Sequence, residues 1–280
     1  MHAKTGGGMA RGISLHFAVS TPGPGCCETS TLASPRANAA TMADIARKKG
    51  FWVREPLLDS RVDSHAVLRA LRGAACELEP ADILLLTFAG HGCEATGLRP
   101  AFEPKDQGWC LTDRLFLDNE LDKALEAFQP GVRILIVSDS CHSRTISGGP
   151  FLPKEAPAGH AAFAAMRDAR AEQIAADWGL EDECRLLVLP TTPHPENRIQ
   201  ASVIVLAASL DHQNGREVSG VALFTTALKA VTEEDRFETY CGFMNEISGR
   251  VSLQRPTQVP AMGFAGIPNP AFARQRPFTI

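Results

Sequence analysis

Asp82-Ile83-Leu84-Leu85-Leu86-Thr87-Phe88-Ala89-Gly90-His91-Gly92 and Arg133-Ile134-Leu135-Ile136-Val137-Ser138-Asp139-Ser140-Cys141-His142-Ser143 share one plan. Each is a short apolar run that stops abruptly in small polar residues around a reactive side chain. The runs are far below the ~20 residues a membrane span requires. Unbroken Leu, Ile and Val with no polar alternation reads as a strand buried on both faces, the pattern of a parallel sheet.

The segments around these runs alternate between strand and helix periods. Residues 12–19 read as a strand, and 37–49 as a helix with Ala39, Met42, Ile45 and Ala46 on one face. Residues 51–57 form a second strand, entered through Gly50 as a helix stop. Asp63 or Ser64 caps a helix whose stripe is Val67, Ala70, Leu71, Ala74 and Leu78. A helix over 119–128 ends at Pro130-Gly131, a further strand covers 202–208, and helices follow at 220–231 and 237–251. The Pro- and Gly-rich tail from Pro256 is expected to lie extended over the surface. This order predicts an α/β fold, a mostly parallel central sheet with helices on both faces. The long connection 143–200, with an Ala-rich middle (160–178) expected to be helical, is the candidate internal boundary. Residues 1–11 read as a Gly-rich extension, with Met9 a candidate start, and 12–280 as a single domain.

Composition narrows the function classes. The 280 residues are 44% hydrophobic and 21% charged, as in ordinary globular chains. With 28 basic against 32 acidic residues the net charge is −4, so no basic surplus recruits nucleic acid or an anionic membrane. No membrane span and no secretory signal is read. The 8 cysteines are scattered, include the adjacent pair Cys26 and Cys27, and form no C-x-x-C. That pattern predicts reduced thiols in a cytoplasmic chain.

In an open parallel sheet, ligands gather at the carboxyl ends of the strands, where His91 and Cys141 sit. On neighbouring strands these two would face one another. A free thiol with pKa near ~8.5 is only a few per cent ionised at neutral pH, so a nucleophilic Cys needs such an imidazole. The glycines flanking His91 allow close backbone approach, and their amides suit an oxyanion. Asp139, two residues before Cys141, lies on the same side of an extended chain and would line a pocket beside it. Taken singly, a strand-end Cys is more often a core residue and Gly-His-Gly a tight turn; together they put the functional reading level with the bland one. A metal reading through His91, Cys93, Cys141 and His142 is disfavoured, because adjacent Cys141 and His142 point to opposite sides of an extended backbone.

The motifs themselves carry a resemblance. Phe88-Ala89-Gly90-His91-Gly92 after its strand resembles the S/A-G-H-G motif of the caspase superfamily. Asp139-Ser140-Cys141-His142-Ser143 is similar to the D-S-C-H-S nucleophile motif of metacaspases and their bacterial relatives, the orthocaspases. Asp106-Gln107-Gly108-Trp109, Leu117-Asp118-Asn119-Glu120-Leu121, the G-x-F-T-x-A-L-like stretch from Gly220 to Leu228, and Pro268-Asn269-Pro270 add to it.

This resemblance implies a caspase-like three-layer α/β/α sandwich. Its large-subunit-like region is 12–143, its linker 144–200 and its small-subunit-like region 201–280. It implies a cysteine endopeptidase acting on protein or peptide substrates through a thioester acyl-enzyme. His91 is then the general base and acid, Cys141 the nucleophile, and the amides of Gly92 and Cys141 the oxyanion donors. It implies cleavage after Arg or Lys, with Asp139 as one pocket acid, since a carboxylate matches a guanidinium bidentately.

At the position of a second pocket acid this chain carries Asn38, with Asp211 a replacement from the end of the 202–208 strand. Arg144 stands where the family has Gly. These two departures motivate an alternative, a catalytically weak or inactive caspase-like binding module. No cofactor or metal is required by the residues. The acids of a calcium-binding segment (Asp106, Asp113, Asp118, Glu120) are spread out and read more simply as solvated loop and helix-start residues. The resemblance further implies a monomer and a stress, defence or cell-death role.

Overall fold

Every residue of Ile83–Ala89 is buried, as an unbroken apolar run demands of a strand covered on both faces. In the computed structural model the described residues are 9–26, 30–94, 107–140, 188–190, 198–209, 217–218 and 221–280. The elements run β1 (Gly12–Ala18), α1 (Pro35–Lys48), β2 (Trp52–Val53), β3 (Leu57–Leu58), α2 (Ser64–Glu77), β4 (Ile83–Ala89) and β5 (Gly92–Glu94). There follow β6 (Gln107–Cys110), β7 (Leu115–Leu117), α3 (Asp118–Leu125), β8 (Arg133–Asp139), β9 (Val188–Pro190), β10 (Ser202–Ala207) and β11 (Glu217–Val218). The chain closes with β12 (Val221–Ala222), α4 (Leu223–Glu234), α5 (Tyr240–Gln254), β13 (Ala261–Gly266) and α6 (Pro270–Arg274).

The main sheet has the order β2-β1-β4-β8-β10-β13-β9, with β3 also paired to β1. All pairings are parallel except β10 with β13. Strand alternation divides the core into two faces. Ile83, Leu85, Leu135, Val137, Ile204 and Leu206 pack with Met42 and Ile45 of α1, Phe224 and Leu228 of α4, and Phe243 and Ile247 of α5. Leu84, Leu86, Ile134, Ile136, Val203 and Val205 pack with Val67 and Leu71 of α2 and Leu121 and Leu125 of α3. Each such fully buried side chain contributes roughly 1.5–3 kcal/mol against exposure. The result is the expected three-layer α/β/α sandwich. At the start of α2 the Asp63 carboxylate accepts from the Ala66 amide at 2.7 Å, which decides for Asp63 between the two cap candidates.

Three readings change. The tail after Pro256 is not a surface strap: β13 lies inside the main sheet beside β10, and Phe272 and Phe278 enter the core. Its small residues (Ala261, Gly263, Ala265, Gly266) carry no β-branched signal, so the Pro and Gly around them dominated the reading. The strand expected over 51–57 is two short ones, β2 and β3, both against β1. Pro56, which has no N–H to give a ladder, lies between them. Cys93 and Cys241 are each in a disulfide, against the expectation of reduced thiols throughout. Sequence spacing does not report which sulfurs a fold brings together, and Cys93 is also 3.2 Å from the Cys110 Sγ. The helix expected over 160–178 lies outside the described residues. Among those described, no helix is long and apolar enough to cross a membrane.

Candidate active site

The two motif strands are neighbours. β4 and β8 pair in parallel with Ala89 opposite Asp139, and the Gly90 amide donates to the Asp139 carbonyl at 3.2 Å. Both motifs therefore leave the sheet at the same end. His91, two residues beyond Ala89, is only 6% exposed. Its Nε2 lies 2.8 Å from the Ser30 carbonyl oxygen. A carbonyl only accepts, so Nε2 carries a proton, and in the neutral ring the lone pair is then on Nδ1. The Ser30 hydroxyl stands 3.4 Å from the same nitrogen.

A small antiparallel sheet of β5, β6 and β7 braces this corner. The Cys110 amide donates to the His91 carbonyl at 2.9 Å, and Gly92 faces Trp109 in the next register position. Hydrogen-bonded and non-bonded pairs alternate in an antiparallel ladder, so the Gly92 amide turns away from β6. Trp109 is buried and stacks on Phe88 with ring centroids 4.6 Å apart. Its Nε1 donates to Ser138 Oγ at 3.0 Å, and that hydroxyl meets Ser140 Oγ at 3.0 Å. The indole thus ties the end of β4 to the end of β8. Gly90 has no room for a side chain: an added Cβ would stand 2.9 Å from the Phe88 ring and 3.0 Å from the Val19 carbonyl.

Beside this corner a cleft is lined by Ser34, Pro35 and Asn38 from the start of α1, Gly90, Asp139 and Ser140 from the strand ends, and Ala222 and Leu223 at the start of α4. Asn38 Nδ2 donates to Asp139 Oδ2 at 3.2 Å, and Thr225 Oγ1 donates to the same oxygen at 2.5 Å. The first turns of two helices therefore converge on one carboxylate.

Of the residues singled out from sequence, the fold brings His91, Gly92, Asn38 and Asp139 together. Cys141 and Asp211 lie outside the described residues, as do His142, Arg144 and Asp106. Two acids of the candidate calcium segment have local partners. Asp113 accepts from the Ser64 amide and hydroxyl at 3.0 and 2.6 Å, and Glu120 holds Arg114 through both oxygens at 2.6 and 2.7 Å. Among the described residues no group of three or more His, Cys, Asp or Glu is placed to hold a metal ion. Sequence reasoning missed the Ser30 carbonyl and Thr225. The first is a backbone group with no sequence signature; the second stood in the Gly220–Leu228 motif without a role.

The family comparison agrees with this geometry. The Caspase domain model matches residues 22–272. Metacaspase-5 of Trypanosoma brucei brucei is 30% identical over 92 residues, a stretch amounting to 30% of this chain and 18% of that protein's length. A crystal structure of a Geobacter sulfurreducens protein aligns at TM-score 0.71 with 27% identity, over 96% of this chain and 99% of that one. Caspase-1 of Spodoptera frugiperda aligns at TM-score 0.52 and 11% identity, covering 92% of this chain and 89% of that one, which is a likeness of fold. With nearly its whole length matched and the strands ending at Ala89 and Asp139 side by side, the chain belongs to the caspase family of cysteine peptidases.

Proposed function

We propose that this chain is an endopeptidase with a His91–Cys141 dyad that cleaves after Arg or Lys. The observation that carries it is the His91 ring, held through Nε2 by the Ser30 carbonyl so that Nδ1 is left for another partner, beside the strand that leads into Cys141. In this reading Nδ1 takes the Cys141 thiol proton and the thiolate attacks the scissile carbonyl carbon. The tetrahedral oxyanion is held by the amides of Gly92 and Cys141. Imidazolium returns the proton to the leaving amine as the C–N bond breaks, leaving a thioester on Cys141. Water, deprotonated by His91, then attacks the thioester, releasing the new carboxyl terminus and the thiol.

Asp139 supports the choice of a basic residue, because it places a carboxylate in the adjacent cleft. Asp211 is proposed as a further pocket acid, and a calcium requirement is left to the assay. A cytoplasmic setting, a monomeric state and a stress or cell-death role belong to the same proposal, carried by the resemblance.

The test is cleavage of matched fluorogenic peptides ending in Arg, Lys or Asp, with calcium or with chelator, using Cys141→Ala as control. Turnover after Arg or Lys that vanishes in Cys141→Ala supports the whole reading. Turnover after Asp keeps the dyad and removes the basic pocket. No turnover by a folded chain under either condition favours the inactive binding module.

A further inference from the structure

We infer that Thr225 is a positioning residue for substrate recognition, holding the Asp139 carboxylate in the orientation that receives a basic side chain. This deepens the proposed specificity and rests on it. Three observations lead to it. Thr225 is only 3% exposed, so its hydroxyl must find a partner inside the protein. In the first turn of α4 the hydroxyl does not turn back on its own helix; it reaches 86 residues upstream to Asp139 Oδ2, at 2.5 Å. The side chain it grips lines the cleft that opens beside the two motif strands.

The chemistry of the grip matters as much as its length. Both described donors to Oδ2, the Thr225 hydroxyl and the Asn38 amide, are neutral. They hold the carboxylate without bringing a counter-charge of their own. An Arg or Lys at the second donor position would have neutralised it instead. Bonds to Oδ2 from two directions also set the plane of the carboxylate, and a planar guanidinium is sensitive to that plane where an ammonium is not. Thr225 is therefore expected to matter more for Arg than for Lys.

The experiment uses the full chain carrying Cys141→Ala, which binds without turnover, and peptides ending in Arg, in Lys or in citrulline, the neutral isostere of Arg. Calorimetry is expected to give tighter binding of Arg than of citrulline. Thr225→Val, which keeps the shape and removes the donor, should weaken the Arg peptide by about tenfold, the scale of one hydrogen bond to a charged group, and leave citrulline unchanged. Thr225→Ser should restore the Arg preference. In the active chain the same loss should appear in KM rather than kcat. If Thr225→Val lowers Arg and citrulline binding equally, or neither, the positioning role is overturned; Thr225→Ala replaces the valine variant should circular dichroism find the latter unfolded. If the Thr225 chain itself binds Arg and citrulline alike, the basic-cleft reading fails first and the inference falls with it.

Discussion

The ring of His91 is anchored not by a side chain but by the main chain: its Nε2–H donates to the carbonyl oxygen of Ser30, 2.8 Å away on the loop between β1 and α1. A backbone acceptor survives substitution of its own side chain, which separates two variants. Ser30→Ala keeps the carbonyl and should leave kcat/KM within about twofold, since the hydroxyl lies at the long distance of 3.4 Å. His91→Ala removes the proposed base and should lower kcat by roughly 10²–10⁴. Steady-state kinetics on an Arg peptide measures both. A large loss in Ser30→Ala would mean that the hydroxyl, not the carbonyl, orients the ring.

Gly90 offers a test of how tightly this corner is built. The Phe88 ring, 2.9 Å from where a Cβ would stand, is backed by its stack on Trp109, and the Val19 carbonyl is fixed backbone. Gly90→Ala should therefore force the end of β4 outward, destabilising the chain by about 1–3 kcal/mol as overpacking does. Urea melts measure the stability, and activity under fully folding conditions should fall as well, because His91 is the next residue. Unchanged activity would show that the corner relaxes without moving the imidazole.

Asn38 stands where the family resemblance leads one to expect an acid, and its amide occupies that place productively, 3.2 Å from Asp139 Oδ2. Asn38→Asp removes a donor and sets two carboxylates against each other, so near neutral pH one of them is expected to take up a proton. The variant should bind basic peptides more tightly only as pH rises, giving a KM for Arg peptides that falls with rising pH more steeply than that of the Asn38 chain. A pH profile of KM unchanged in the variant would mean that the cleft lined by Asn38 and Asp139 does not receive the basic side chain.

What could be read from sequence follows from where the information lies. β4 and β8 were legible because a long apolar run admits few alternatives, and their sharp polar ends located His91 and Asp139. β13 was not: Ala-Met-Gly-Phe-Ala-Gly earns its place through small residues packing against β10, which no local propensity reports. The small β5–β7 sheet escaped because its strands are only 3, 4 and 3 residues long. Asn38 was located through the family motif, but whether it donates to Asp139 or faces elsewhere is a matter of helix rotation against the sheet. Thr225 needed the same tertiary knowledge.

Two buried titratable groups give the chain opposite pH dependences, and both lie away from the cleft. His16 on β1 is 1% exposed, with Nδ1 2.9 Å from Thr87 Oγ1 and Nε2 3.0 Å from Ser14 Oγ. Burial, helped by the charge of Arg47, lowers its pKa to about 4. The unfolded chain takes this proton near pH ~6.5 and the folded chain resists to about 4, so stability falls as pH drops through that window, by about 3 kcal/mol in all. Asp122 on α3 runs the other way: burial first, then the charges of Asp118 and Glu126, raise its pKa to about 8. The folded chain keeps that proton after the unfolded one has lost it near pH ~4, so stability declines as pH rises from there toward 8. Asp122→Asn mimics the protonated acid and should raise the urea midpoint at pH 8 while changing it little at pH 4. His16→Gln should flatten the decline between pH 6.5 and 4.5 and leave the alkaline side alone. A midpoint for Asp122→Asn that shifts equally at both pH values would assign the effect to packing rather than to the proton.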